Sequence, residues 1–151
     1  MSKLVEMPPH DIEAEQSVLG ALLLESEKIL SVSEIIMFDD FYRQSHQKIY
    51  SACLDCYKSG NLDIIALKNR LSALGEMEAV GGLSYLAQMA ASIPTAANAN
   101  YHAQIIKNKS IARKILKWTM TINEQLYNHS TPEETIQAAE QGLIVIADKV
   151  F

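Results

Sequence analysis

The stretch NANYHAQIIKNKSIARKILKWTMTINEQL, residues 98–126, decides the fold, because it contains neither proline nor glycine and reads as one unbroken helix. A helix of ~29 residues would reach about 43 Å at 1.5 Å per residue. Tyr101, Ile105, Asn108, Ala112, Ile115, Thr119, Ile122 and Leu126 recur at three- and four-residue steps, which predicts a helix packing lengthwise on another. The partner follows at once. Thr131-Pro132-Glu133-Glu134 is a capping box with proline at the first helical position, so a new helix starts after a turn of a few residues, and the two must be antiparallel neighbours. The second helix presents Ile136, Ala139, Leu143, Ile146 and Val150 at the same spacing.

One seam cannot bury everything apolar in this hairpin. Ile144, Val145 and Ala147 form a second strip, and Leu116, Trp118 and Met120 are expected off the main seam. Surplus apolar surface of this kind marks a site for another protein chain, the alternative being that the rest of the molecule folds over it.

Upstream, almost every periodic segment again has helical spacing. Pro8-Pro9 cannot continue a helix, and Asp11, Glu13 and Glu15 crowd the first turn of one that starts near Asp11, with Ile12, Leu19, Leu22 and Leu23 on one face. A short second helix carries Ile29, Leu30, Val32, Ile35 and Ile36, followed by an irregular connection with buried aromatics at 38–42. Ser45 is the expected cap of a third helix with His46, Ile49, Tyr50, Cys53, Leu54 and Tyr57 on its stripe and Gly60-Asn61 as its stop. Asp63 opens a fourth helix with Ile64, Leu67, Leu71 and Leu74 inward, ended by Gly75. Gly81-Gly82 precedes a fifth with Leu83, Leu86, Ala87 and Ala90 inward, ended by Pro94. The fold class is all-α: a compact multi-helix globular head, residues 1–94, followed by a long antiparallel helical hairpin, residues 95–151.

Composition narrows the function. With 151 residues and 48% hydrophobic content the chain can bury a real core. A net charge of -5 argues against a domain devoted to gripping phosphates. No apolar run approaches the roughly 20 residues that span a bilayer, and a cytoplasmic location is expected. Cys53 and Cys56 form a lone Cys-x-x-Cys without a second ligand pair, and the four histidines are scattered, so buried thiols explain them better than zinc. The Gly81-Gly82 pair is a tight turn, since no Gly-x-x-x-x-Gly-Lys-Ser/Thr occurs anywhere. No nucleophile and base pair stands out, so a small helical enzyme is not favoured.

Charge is segregated along the hairpin. Residues 97–117 carry Lys107, Lys109, Arg113, Lys114 and Lys117 and no acid, whereas 118–151 carry Glu124, Glu133, Glu134, Glu140 and Asp148 against Lys149 alone. The usual reading of such segregation is a solvated face; the sharper one is that it orients hairpin against hairpin or against an acidic partner, with contact to single-stranded DNA ranked last. A competing class is a dimeric helical DNA-binding regulator that uses the Lys107–Lys117 stripe, for which steep salt dependence of DNA binding would be the sign.

Longer motifs carry a family resemblance. Pro8-Pro9 with Glu13-Ala14-Glu15-Gln16-Ser17-Val18-Leu19-Gly20, Asp40-Phe41-Tyr42 before His46-Gln47-Lys48-Ile49, Gly81-Gly82-Leu83-Ser84-Tyr85-Leu86, Pro94-Thr95-Ala96-Ala97-Asn98 with Tyr101, Lys109 with Arg113, and Ala139-Glu140 occur in the order of the DnaB-type replicative DNA helicases. The chain resembles their amino-terminal domain over nearly its full length. It departs at Ala66, where threonine is commoner, and at His102, where alanine is commoner. The resemblance implies an assembly and docking role in DNA replication: hairpins pairing into dimers, three dimers forming the collar of a hexamer, primase docking through its carboxy-terminal helical domain, and a helicase loader as a further partner. It also implies that ATP and Mg, and most DNA contact, belong to a carboxy-terminal ATPase domain absent here, so that this chain alone has no cofactor, catalytic residue or metal and neither hydrolyses ATP nor unwinds DNA. Tyr85, Leu116 and Ile122 are the expected primase contacts, with core packing as the alternative for each. Ile115, Ile136, Leu143 and Ile146 are the expected self-association residues.

Overall fold

The computed structural model describes residues 7–150, and every regular element among them is helical. α1 spans Ile12–Leu24, α2 Ile29–Ile35, α3 Gln44–Lys58, α4 Ile64–Ala73, α5 Gly82–Ser92, α6 Ala99–Tyr127 and α7 Pro132–Val150, with short 3-10 turns at Ser26–Lys28 and Phe38–Asp40. The chain divides into two compact units: residues 10–107, and residues 108–150 with the described residues 7–9. The division falls inside α6.

Local chemistry sets the helix ends. Asp11 and Asp63 cap α1 and α4, each accepting the backbone N–H three residues on, from Ala14 at 3.0 Å and from Ala66 at 2.8 Å. That bond to the ionised form, led by the Ala66 N–H, holds the Asp63 carboxyl below the usual range. α3 ends on the left-handed Gly60 and α4 on Gly75, as their sequences predict. α5 stops at Ser92 because Ile93, preceding Pro94, is forced to extended backbone. The α6 terminus is a Schellman arrangement without glycine: His129 takes φ 67°, Ser130 N–H donates to the Gln125 carbonyl at 3.0 Å, and His129 N–H to Leu126 at 3.3 Å. One start differs from expectation. α3 begins one residue before Ser45, with Arg43 in the capping position and no side chain serving as its cap.

The first unit closes around one core that includes Leu19, Leu22, Phe41, Ile49, Tyr50, Leu67, Leu71, Leu86 and Ile106. Phe41 supplies the buried aromatic of the 38–42 connection, whereas Phe38 is exposed. Gly20 lets α1 approach α5 closely, for a Cβ there would lie 2.4 Å from the Met89 carbonyl oxygen. The α4 face keeps its expected register, with Leu67 and Leu71 buried and only Leu74, at the cap beyond the helix, exposed. The α5 face is turned: Leu83 is exposed, and Met89 rather than Ala87 fills the core. Along the start of α6 the buried residues are Ala99, Ala103 and Ile106, while Tyr101 is 67% exposed. Small side chains let α6 lie close to the core, and that proximity buries them ahead of the larger tyrosine.

In the second unit, α6 from Asn108 onward pairs antiparallel with α7. The turn between them is capped by Thr131, whose hydroxyl accepts from Glu134 N–H at 3.2 Å and donates to the Glu134 carboxylate at 2.9 Å. The seam on α7 is Thr135, Ala139, Gly142 and Ile146 rather than the Ile136, Leu143 and Val150 stripe. Trp118, expected off the seam, lies in it: its indole N–H donates to the Ala139 carbonyl at 2.7 Å, and a Cβ on Gly142 would meet its Cδ1 at 2.6 Å. The glycine admits the indole edge, which rotates α7 and leaves the larger aliphatics outside.

Candidate partner-docking surfaces

Within the first unit, a polar network crosses the helices. Glu15 of α1, only 1% exposed, accepts from the backbone N–H of Tyr42 at 2.7 Å and of Arg43 at 3.4 Å. Its carboxylate lies 2.8 Å from Nδ1 of the fully buried His46 on α3, and Nε2 of His46 lies 2.7 Å from the Tyr85 hydroxyl on α5. The Tyr85 oxygen also receives Gln16 Nε2 at 3.0 Å and Arg43 Nη1 at 3.4 Å. The Glu15 carboxylate and the Tyr85 hydroxyl thus occupy both ring nitrogens of His46. Every member is satisfied, which is what allows a carboxylate and an imidazole to sit in a core. Gly81, in the left-handed region with φ 104°, starts α5 and makes room for Tyr85, whose own Cβ would lie 2.9 Å from a Cβ on the glycine.

Tyr85 is thus partly buried, its ring stacked parallel to His46 and its outer edge at the surface. Arg43, exposed, reaches its hydroxyl, and the preceding Tyr42 stacks on His10 with ring centroids 4.3 Å apart. Tyrosine and arginine in such a cluster are the residue types that anchor protein interfaces.

The second unit carries the other sequence-predicted residues. Ile136 and Leu143 on α7 are 59% and 48% exposed, and Ile115 and Leu116 on α6 are exposed as well. Ile146 is 8% exposed and packs in the α6–α7 seam. Ile122 lines a groove of about 300 Å³ between the two helices, together with Trp118, Val145, Ile146 and the rim lysines Lys114, Lys117 and Lys149. Of the basic stripe, Lys107 pairs with Asp40 at 3.6 Å, Arg113 donates to the Pro9 carbonyl at 2.8 Å, and Lys114 to the Ser110 hydroxyl at 2.8 Å. Three of its five cations are therefore held by protein groups.

Cys53 and Cys56 are buried free thiols, and burial pushes both up from the ordinary thiol range. Among the described residues no three His, Cys, Asp or Glu side chains group as metal ligands, and no helix is long and apolar enough to cross a membrane.

Sequence reasoning missed Glu15, His46 and Arg43 as members of one site. Glu15 reads as a first-turn acid and His46 as part of a helical stripe, and the only signal was a titratable histidine on an otherwise apolar face.

Comparisons agree with this architecture. A family model described as DnaB-like helicase N terminal domain matches residues 7–108. Over 145 residues the chain is 40% identical to the replicative DNA helicase DnaC of Bacillus subtilis (strain 168), covering 95% of this chain and 32% of that protein. It is 40% identical over 122 residues to the replicative DNA helicase DnaB of Geobacillus stearothermophilus, covering 80% of this chain and 27% of that one. The chain thus spans about a third or less of the curated relatives it matches. Among solved structures, the N-terminal domain of DnaB helicase from Mycobacterium tuberculosis superposes with a TM-score of 0.87 at 34% identity, over 93% of this chain and 99% of that one. A DnaB-like replicative helicase, described with its interactions with primase, matches with a TM-score of 0.75 at 26% identity, over 90% of this chain and 31% of that one.

Proposed function

This chain belongs to the DnaB-like helicase N-terminal domain family, and from that premise we propose that it is the assembly and partner-docking part of a hexameric replicative helicase. The observation that carries the reading is the amount of aliphatic surface left open on α6 and α7, where Ile115, Leu116, Ile136, Leu143 and Ile144 are all exposed. Surface of that kind is buried when a second copy covers it. The acidic flank of α7 and the basic rim of the groove give the pairing its orientation. Dimers formed through this face are the units of the hexamer.

The second part of the proposal is primase docking, supported by the structural neighbour described with primase. Tyr85 on one unit and Leu116 and Ile122 on the other are the docking residues, with primase contributing its carboxy-terminal helical domain. A helicase loader is a further partner. The chain spans 32% of the Bacillus subtilis replicative helicase, and in this reading ATP, Mg²⁺ and unwinding belong to the remainder of such a helicase, which acts in the cytoplasm.

Sedimentation tests the first part. The isolated chain should associate at micromolar concentration, and Leu143→Asp should make it monomeric while melting as wild type does at dilutions where neither is paired; a wild-type chain that stays monomeric at high micromolar concentration refutes the pairing. Titration with the primase domain tests the second. Leu116→Ala, which removes an exposed side chain, should weaken binding without moving the melt, and unaltered affinity removes Leu116 from the docking set.

A further inference from the structure

Arg43 sits at the surface edge of the Glu15–His46–Tyr85 network. Its guanidinium reaches the Tyr85 hydroxyl through Nη1, and no carboxylate lies within ion-pair distance of it among the described residues. The Nε and Nη2 edge, the one that takes a carboxylate side-on through two parallel N–H bonds, has no hydrogen-bond partner there. The free fork is also partly ordered in advance. Tyr85 holds one nitrogen, His46 and Glu15 hold Tyr85, and the Arg43 backbone N–H is bound to Glu15 at 3.4 Å. An arginine tethered in this way loses less side-chain entropy when it captures an anion than one free in solvent.

We propose that Arg43 is a carboxylate-recognising residue of the docking surface, taking an acidic side chain of the docked protein partner, with Tyr85, His46 and Glu15 as its positioning residues. The proposal rests on the reading that the partner docks at Tyr85. It names a specificity element for that site: a partner lacking an acid at the matching position is rejected. The polar residues of the network therefore do more than close the core. They aim the one cation of the cluster.

The test is calorimetric titration of the full chain with the carboxy-terminal helical domain of primase at low and high salt. Arg43→Gln should weaken binding about tenfold or more and flatten its salt dependence, because a charge-assisted pair is lost. Arg43→Lys should keep the salt dependence and recover only part of the affinity, since an ammonium cannot offer the two parallel donors. Tyr85→Phe should weaken binding less than Arg43→Gln, by untethering the fork while keeping the ring. Arg43 is exposed and its removal leaves no buried group unpaired, so the variant folds and its melt checks this. Binding that falls with Tyr85→Ala but ignores Arg43→Gln in both affinity and salt response overturns the carboxylate subsite alone. Binding that ignores Tyr85→Ala, or wild type that does not bind, overturns the docking site and the subsite with it.

Discussion

Gly142→Ala is the substitution whose sign separates a packed α6–α7 seam from a solvated helix. In an open helix interior, alanine for glycine stabilises by about 1 kcal/mol. Here the added Cβ would stand 2.6 Å from Cδ1 and 3.0 Å from Nε1 of Trp118, so the indole must move. Moving it breaks the 2.7 Å bond to the Ala139 carbonyl, a net loss of about 1 kcal/mol, on top of about 1–3 kcal/mol for overpacking a fitted contact. After the propensity gain the balance is a destabilisation of about 2 kcal/mol. For a chain of this size that lowers the midpoint by about 4–8 °C. Thermal denaturation by circular dichroism reads the midpoint, and Trp118, the single tryptophan, reports its own displacement by fluorescence. A red-shifted emission with a lower melt is expected. A higher melt with unchanged emission would refute the seam and return Gly142 to the open face.

Three other outcomes follow from the same kind of argument. Gly20→Ala drives a Cβ against the backbone carbonyl of Met89, which no rotamer change can relieve, so a loss of about 2 kcal/mol or more is expected in chemical denaturation, and a neutral result would disprove the close α1–α5 approach. His129→Gly relieves a left-handed backbone at the α6 terminus and should raise stability by about 1 kcal/mol, measured by the same method. Asp63 has a folded-state carboxyl held below its ordinary value, so its contribution is present above the unfolded value and is lost as pH falls through the folded one. Asp63→Asn keeps a capping oxygen that does not titrate, and the melt of this variant should fall less steeply with acidification than that of wild type.

Helix ends were legible in the sequence because they depend on residues within about one turn. Asp11, Asp63, Gly60, Gly75 and Pro94 each act on their own neighbours, and α6 runs over the 29 residues Ala99–Tyr127, one position along from the stretch without breakers. Faces were less legible. The expected stripe through Tyr101 and Leu143 treats burial as a property of the side chain, whereas Ala103, Gly20 and Gly142 are where helices come closest, and size at one position depends on what stands opposite.

By itself, then, the amino-acid sequence determined an all-helical chain, its helix boundaries, the antiparallel turn at Thr131 and the family motifs, all of which rest on short-range backbone chemistry or on residue order. Only the tertiary structure decided that Trp118 fills the seam and leaves Ile136 and Leu143 open, and that Glu15, His46 and Tyr85, separated by 31 and 39 residues, meet beside Arg43. Those contacts join different helices, and a hydrogen bond or a fitted ring exists only once the approach distance between two elements is set.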